Sequence, residues 1–577
     1  MNRIIIAGLI SIIGMSKLWA QQPKDTLNTE VISVVKPYSP TISDAFKIND
    51  LPVIQEEDID KKNIEYHINS IPVASTFTPS KGKAKGVTRP KKERLFDNYI
   101  SAGFGNYTTP FLEAYIRTFP GRDGEFGVLL KHHSSQGGIK DVLLDDSFYK
   151  TNLDVYYKQS NRDMDWKINL DVNHRLYNWY GLPESTTFDT ALLSAQDPKH
   201  TFLNVGVGGE INYFNSFFKG AKLSLSNFSD NYNSGEIHLR IEPEFEMPIS
   251  SELINFKFDV NFLNGSMERN YANSSAPAYS YLNLGVSPNF EVLRENLRIN
   301  LGAKLYYALD FEKGTGAFKA YPSVDASFQL IDQVLTLFAG ATGGLHLNSY
   351  ADFTKDNPFV SPTISNVPTD EKYRIFTGVK GKLASNINYL LKGSYADEQN
   401  KPLFLLNQIK SDGTSLVNES YELGNSFGVV YDGVKTIRLY GELAIDFSKE
   451  FTFGGNVNYA LYDMDTQPEA WNLPNLKTTL FADYHQQKWV GSAKLFMVDK
   501  RWDTAIPYGI VNPVPEDYKV DLGVYLDLNA ELAYAFTERL SAFAKTRNLL
   551  STKYKRFYNY PVQGLQVLGG LTYKFDL

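Results

Sequence analysis

The chain contains no cysteine. That absence excludes disulfide staples, thiolate metal sites, thiol nucleophiles and the attachment of a lipoprotein anchor. Long hydrophobic runs are also scarce. Only Ile4–Met15 is mostly apolar over more than a few residues, and it is too short for a membrane-crossing helix. Histidine is sparse, with 8 among 577 residues, and only His132 and His133 are close in sequence. No carboxylate or thiol completes a metal-ligand spacing around them. The sequence has no H-E-x-x-H and no P-loop. Its glycines at Gly103 to Gly105 and Gly206 to Gly209 fall inside strand-like patterns, where glycine marks a kink or a close approach and not a phosphate cradle. Carboxylates are too many and too scattered to nominate an acid–base pair. The reading is therefore a non-enzyme with no catalytic residue, no metal site and no cofactor.

Aromatic side chains, by contrast, are abundant: 36 Tyr, 37 Phe and 6 Trp make up 14% of the chain, more than an ordinary core needs. Two girdles of rings at membrane interfaces would use them. Mean hydropathy is −0.29 although 43% of residues are hydrophobic. Strands with one lipid-facing and one water-facing side give that balance. The last thirteen residues show the pattern. Leu565, Val567, Gly569, Leu571, Tyr573, Phe575 and Leu577 alternate with Gln566, Leu568, Gly570, Thr572, Lys574 and Asp576. Successive side chains on a strand point to opposite faces, so one face is apolar and the other largely polar.

The alternation recurs from Asp97 onward. Trp166, Ile168, Leu170 and Val172 interleave with Lys167, Asn169, Asp171 and Asn173. Ile437, Leu439, Leu443, Ile445 and Phe447 oppose Arg438, Glu442 and Asp446, and Phe451, Phe453, Val457, Tyr459 and Leu461 oppose Thr452, Asn456 and Asn458. Several stretches exceed the mean strand of roughly 5–6 residues, and length discriminates here because alternation alone also fits a soluble sandwich. The links divide into short ones, such as Pro120–Asp123, Phe214–Phe217 and Gln486–Lys488, and long ones, such as Tyr180–His200, Asn348–Glu371 and Trp502–Asp521. Following the strands puts every long link on one end and each of the short links named on the other. Outer-membrane barrels have this asymmetry. The fold expected is all-β, a transmembrane antiparallel β-barrel over 95–577 of about 22 strands, within roughly 20 to 24. Residues 400–432 are the hardest to divide.

Ahead of the barrel, Arg3, the apolar run and Leu18-Trp19-Ala20 predict a signal peptide over 1–20. Residues 21–94 read as a proline-rich periplasmic extension carrying 12 basic and 10 acidic residues, with the bases crowded between Lys81 and Arg94. The barrel region has 44 basic and 55 acidic residues. A basic run of this kind is a solvated linker or a docking segment, and export excludes a nucleic-acid partner. Within the extension, Glu30, Val31, Ile32, Ser33 and Val34 precede Lys36-Pro37. Short β-prone residues before a proline suit a peptide that adds to the sheet edge of another protein.

That segment resembles the energy-coupling box of TonB-dependent outer-membrane receptors. Asn548-Leu549-Leu550-Ser551-Thr552-Lys553-Tyr554, Tyr558, Tyr560-Pro561, Gly569-Gly570 and Tyr573-Lys574-Phe575 are similar to the closing loop and last strand of the same family, particularly its Bacteroidetes members. The resemblance implies an outer-membrane location in a Gram-negative bacterium with both termini periplasmic. It also implies contact with outer-membrane lipid, recognition of Tyr573 and Phe575 by the barrel-assembly machinery, and TonB or another envelope protein as partner. The glycine and arginine motifs of the family's plug domain are missing from 21–94. The loop rings Trp179, Trp471, Trp502, Tyr508 and Tyr558 are candidates for touching a ligand or partner, since rings in loops stack on sugars or anchor interfaces. Two functions follow: nutrient import by a receptor-like barrel, or a plugless barrel acting as a binding or assembly partner for other envelope or secretion components.

Overall fold

Alternating long strands leave two choices for their apolar face, burial against a second layer or contact with lipid, and here the sheet takes the second. The computed structural model describes residues 94–577 apart from Arg122, Ser250 and Ser251. Leu95–Leu577 fold as one unit around a single 22-stranded sheet. Every strand pairs antiparallel with its neighbours, and the ring closes where Asn98–Gly105 pairs with Gln566–Phe575, in register from Asn98↔Phe575 to Gly105↔Leu568. Closure leaves no edge of bare N–H and C=O groups, the condition for a sheet in hydrocarbon.

The outward face is the apolar one. Val567, Leu571 and Tyr573 are exposed on the last strand, Ile437, Leu439 and Leu443 on another, and Phe453, Val457, Tyr459 and Leu461 on its neighbour. The inward face is polar and cross-linked. Asn173 donates to Asn152 Oδ1 at 2.5 Å, and Lys219 meets Glu246 at 2.7 Å. Among the described residues no helix is long and apolar enough to cross a membrane. A bilayer-spanning β-barrel has this distribution.

The two rims differ as the link lengths predict. One rim carries only tight turns, among them 119–123, 161–163, 214–217, 385–386 and 487–488. The other carries the long loops 136–147, 179–198, 267–277, 347–368, 407–426, 465–475, 499–524 and 548–565. Residues 400–432 turn out to be the upper ends of two 20-residue strands, Ile387–Leu406 and Phe427–Asp446, with a loop between them. At ~3.3 Å per residue such a strand is about 66 Å long, well beyond the ~30 Å hydrocarbon core even when tilted. Its upper half therefore stands clear of lipid and supports the loops. The wall is lower at the seam, where Asn98–Gly105 and Leu540–Arg547 have 8 residues each.

Two short helices lie in the long loops. α1, Thr190–Ser194, is capped by Asp189, which accepts from the Ala191 amide at 3.0 Å. α2, Tyr350–Asp356, is capped by Ser349, which accepts from the Asp352 amide at 3.0 Å. Both use the oxygen-bearing residue preferred at that position. Residues Glu30 to Val34, the signal segment and the boundary at residue 20 lie outside the described residues.

Candidate functional site: a cap across the long-loop rim

Three loops meet over the lumen. They span 179–198, 347–368 and 548–565 and follow the fifth, thirteenth and twenty-first strands of the ring. They therefore rise from three separate sectors of the wall, and contacts among all three bridge the mouth. Trp179 of the first loop donates Nε1–H to the Phe359 carbonyl of the second at 3.1 Å. Phe359 stacks on Tyr560 of the third, with centroids 3.6 Å apart and planes at 17°. Tyr180 closes the triangle by donating to the Pro561 carbonyl at 3.0 Å and packing edge-on to Tyr560. Loop 407–426 enters beneath them, where Asn425 Nδ2 donates to the Trp179 carbonyl at 2.8 Å and accepts the Tyr560 hydroxyl on its own carbonyl.

The junction is a true core. Trp179, Tyr350, Phe353, Phe359, Tyr421, Phe427, Phe557 and Tyr560 are buried together with Phe202, Phe228 and Leu263 of the strand tops. Fully burying a large apolar side chain contributes about 1.5–3 kcal/mol, so the ring cluster supplies the driving force that holds the loops across the opening. Polar bonds set the register. α2 is pinned by Arg175, which donates to the Thr354 carbonyl at 3.2 Å and to Thr354 Oγ1 at 3.0 Å. Its first residue is gripped from the same sector of the wall, two and three strands along: the Tyr350 amide donates to Glu236 Oε2 at 2.8 Å, and the Tyr350 hydroxyl donates to Asp230 Oδ2 at 2.8 Å. His200 lies 3.2 Å from the same carboxylate oxygen. Under α2 the wall forms a recess of about 280 Å³ lined by residues that include Asn152, Asp154, Asp171, Arg175 and Lys355.

Replacing Arg175 by Met keeps the packing stem and deletes both bonds to Thr354. Hydrogen bonds to a charged donor contribute about 1.5–3 kcal/mol. Amide exchange in 350–360 is expected to accelerate accordingly, with the strands of the wall unchanged. Equal exchange in both proteins would mean Arg175 does not hold α2.

Comparison with known proteins gives the next observation. No protein-family model and no curated protein matches the sequence. Solved structures do match: Pseudomonas aeruginosa FpvA, bound to heterologous pyoverdines, is 12% identical with a TM-score of 0.59 and covers 84% of this chain and 72% of its own. The copper transporter OprC is 13% identical with a TM-score of 0.58, covering 84% and 82%. The FrpB iron transporter of Neisseria meningitidis is 10% identical with a TM-score of 0.60, covering 84% and 83%. The chain has the fold of these receptor barrels.

Within that receptor fold the five candidate rings separate into two groups. Trp179 and Trp471 are both 0% exposed and serve packing. Trp471 donates Nε1–H to Gln467 Oε1 at 2.8 Å and sits away from the three-loop junction. Trp502 lies in a small hairpin, Trp502–Thr504 with Lys519–Asp521, its ring flanked by Lys500 at 5.1 Å and Lys519 at 4.4 Å. Tyr558 packs against the cap cluster under Lys555, and Tyr508 is exposed at the tip of 499–524. Tyr573 and Phe575 stack on the last strand, centroids 6.0 Å apart. The sequence reading missed Arg175, Tyr350, Phe359 and Asn425. Its available signal was the density of rings in the long loops, which names a cluster without naming its members. His132 is occupied by neighbours, 2.8 Å from Thr151 Oγ1 and 3.1 Å from Ser134 Oγ. Among the described residues no group of carboxylates and histidines is arranged to hold a metal ion.

Proposed function

We propose that this chain is an import receptor of the TonB-dependent type in the outer membrane of a Gram-negative bacterium, taking up a large or scarce nutrient. The observation that carries the reading is the three-loop junction over the lumen. A general porin needs an unobstructed mouth, whereas a barrel with a bridged mouth admits a solute only when that solute, or work done from the other side, parts the loops. Fold likeness to proteins named as iron and copper transporters supports import over an assembly role. So does the sequence resemblance of the last strand and of Glu30–Val34 to TonB-dependent receptors.

In this reading the tight-turn rim and both termini face the periplasm, and the long loops face outward. Tyr573 and Phe575 present the terminal-strand signal to the barrel-assembly machinery. Glu30, Val31, Ile32, Ser33 and Val34 add as a strand to a periplasmic TonB domain, which transmits the work. The exposed ring of Tyr508 and the half-buried ring of Tyr558 make the first contact with the arriving solute.

A peptide spanning residues 25–40 is expected to bind the periplasmic domain of TonB, and the Val31→Pro peptide to lose binding, because proline removes a ladder N–H and blocks strand addition. Titration calorimetry reads both. Failure of the unmodified peptide to bind removes the energy-coupling role.

A further inference from the structure

Four cations gather under the cap on the wall opposite α2's anchoring strands. Lys477, near the top of Leu476–Gln486, has Arg438, Arg501 and Arg556 as charged neighbours, and one carboxylate, Asp356 at the end of α2. Arg438 and Lys477 both point into the lumen. The residues that alternate with them, Ile437 and Leu439 on one strand and Leu480 on the other, are exposed on the outer face. Between the two strands runs Phe451–Met464, and its Asn458 sits directly beside Lys477 in the ladder, with Arg438 opposite the next inward residue, Ala460. Arg501 comes down from loop 499–524, 5% exposed, its guanidinium donating to the Lys555 carbonyl at 2.9 Å and to the Arg556 carbonyl. Those bonds tie it to the same loop that carries Arg556.

Among the described residues none of these four cations has a carboxylate within ion-pair distance, although the barrel region holds 55 acidic side chains, and Lys401, Lys410 and Arg374 nearby are each paired. Three buried polar atoms also lack a partner there: Arg438 Nε, Arg501 Nε and Asn458 Oδ1. Arg501 is buried and Arg438 half-buried, while Lys477 and Arg556 keep exposed surface. Like charges placed together repel and remain costly unless something neutralises them. Some inward cations elsewhere, such as Lys219 and Lys319, are held by the protein's own carboxylates. At this position none of the four is.

We propose that Arg438, Lys477, Arg501 and Arg556 form a binding site for a small polyanion, a solute bearing several carboxylate or phosphate oxygens. Guanidinium groups match such oxygens two at a time and the lysine supplies a point charge. Asn458 offers a neutral contact beside Lys477. Asp356 brings an opposing charge on the element that roofs the site, and the buried Asp503 a second one beside Arg501, so an arriving anion also competes with α2 for the cations. Occupancy and cap position are thereby linked. The assignment rests on the import reading for its meaning, since it names the chemical class of the solute, but the binding itself is independent of energised transport.

The test uses the full-length protein purified in detergent, with inorganic pyrophosphate and tricarballylate as probes, followed by calorimetry at constant ionic strength. At least one probe is expected to bind the unmodified protein. Lys477→Gln is expected to weaken it roughly tenfold, the loss of one charge-assisted bond of about 1.5 kcal/mol. Lys477→Arg is expected to retain binding, which separates charge from fold. Heat-modifiable mobility on gels confirms that each variant is a folded barrel. Pyrophosphate binding alone assigns the phosphate class, and tricarballylate alone the carboxylate class. No binding of either probe, or equal binding by the unmodified protein and Lys477→Gln, overturns the site. Binding by a protein that imports nothing leaves the site standing and removes the import reading instead.

Discussion

Trp179→Ala is expected to open the mouth of the barrel while leaving its wall intact. The ring is at the centre of the junction, 0% exposed, with His200 at 4.4 Å and Tyr232 and Tyr421 each at 5.3 Å between centroids. Truncating a buried Trp to Ala costs about 3–5 kcal/mol, part of it from the cavity left behind. Here the same change also deletes the Nε1–H bond to Phe359, which links the first loop to the second. The strands below are held by ladder hydrogen bonds on both sides of every strand and enter that core only at their tops, through residues such as Phe202, Phe228 and Leu263. The cap therefore loosens as a local unit. In a planar bilayer the variant should pass larger, steadier currents than the unmodified protein, and trypsin should gain access to Lys555 and Arg556. Trp179→Phe, which fills most of the volume, should fall between. Currents identical in all three proteins would show that the junction is not the barrier to flow.

The barrel was legible in the sequence because each strand carries its own evidence. Ile437, Leu439 and Leu443 alternate with inward polar residues, and the structure exposes all three on the outer face. Tight turns such as 161–163 and long loops such as 347–368 then fall on opposite rims without knowledge of which strands pair. Sequential antiparallel pairing is the default for hairpins, so the order around the ring follows.

The cap was not legible for the opposite reason. Its contacts join residues remote in sequence: Trp179 with Phe359, Phe359 with Tyr560, Arg175 with Thr354. No period records which loop ring meets which. The same rings that read as surface contacts, Trp179 and Trp471, are buried because a wide lumen lets loops from separate sectors converge. The unpaired cations were hidden likewise. Arg438 and Lys477 look like ordinary inward residues of two strands, and only the closure of loops 499–524 and 548–565 above them brings Arg501 and Arg556 to the same place.

A pH effect is expected at Asp503, in the small hairpin of loop 499–524. Its side chain is fully buried and joins three segments: Oδ1 accepts the Leu406 amide at 3.0 Å and the Thr504 amide at 2.8 Å, and Oδ2 accepts Asn472 Nδ2 at 2.8 Å. Burial pushes the carboxyl up from 3.8 to about 6, and the three donors and Arg501 oppose that rise only in part. The folded value lies above the unfolded one, so folding favours the protonated form. The stabilisation is fully present below about pH 4 and is lost as pH rises through about 6. Two pH units correspond to about 3 kcal/mol at most. Amide exchange at Leu406 and Thr504, corrected for its intrinsic pH dependence, should therefore show tighter docking at pH 4 than at pH 7. Asp503→Asn should flatten that profile, because its amide does not titrate. Asp503→Ala should loosen the hairpin at every pH, since it leaves the Leu406 and Thr504 amides orphaned at roughly 1–3 kcal/mol each, while Asn472 Nδ2 keeps its bond to the Phe404 carbonyl. A profile that keeps its slope in Asp503→Asn would assign the titration to another group and leave Asp503 as a purely structural tie between the hairpin and the strand that ends at Leu406.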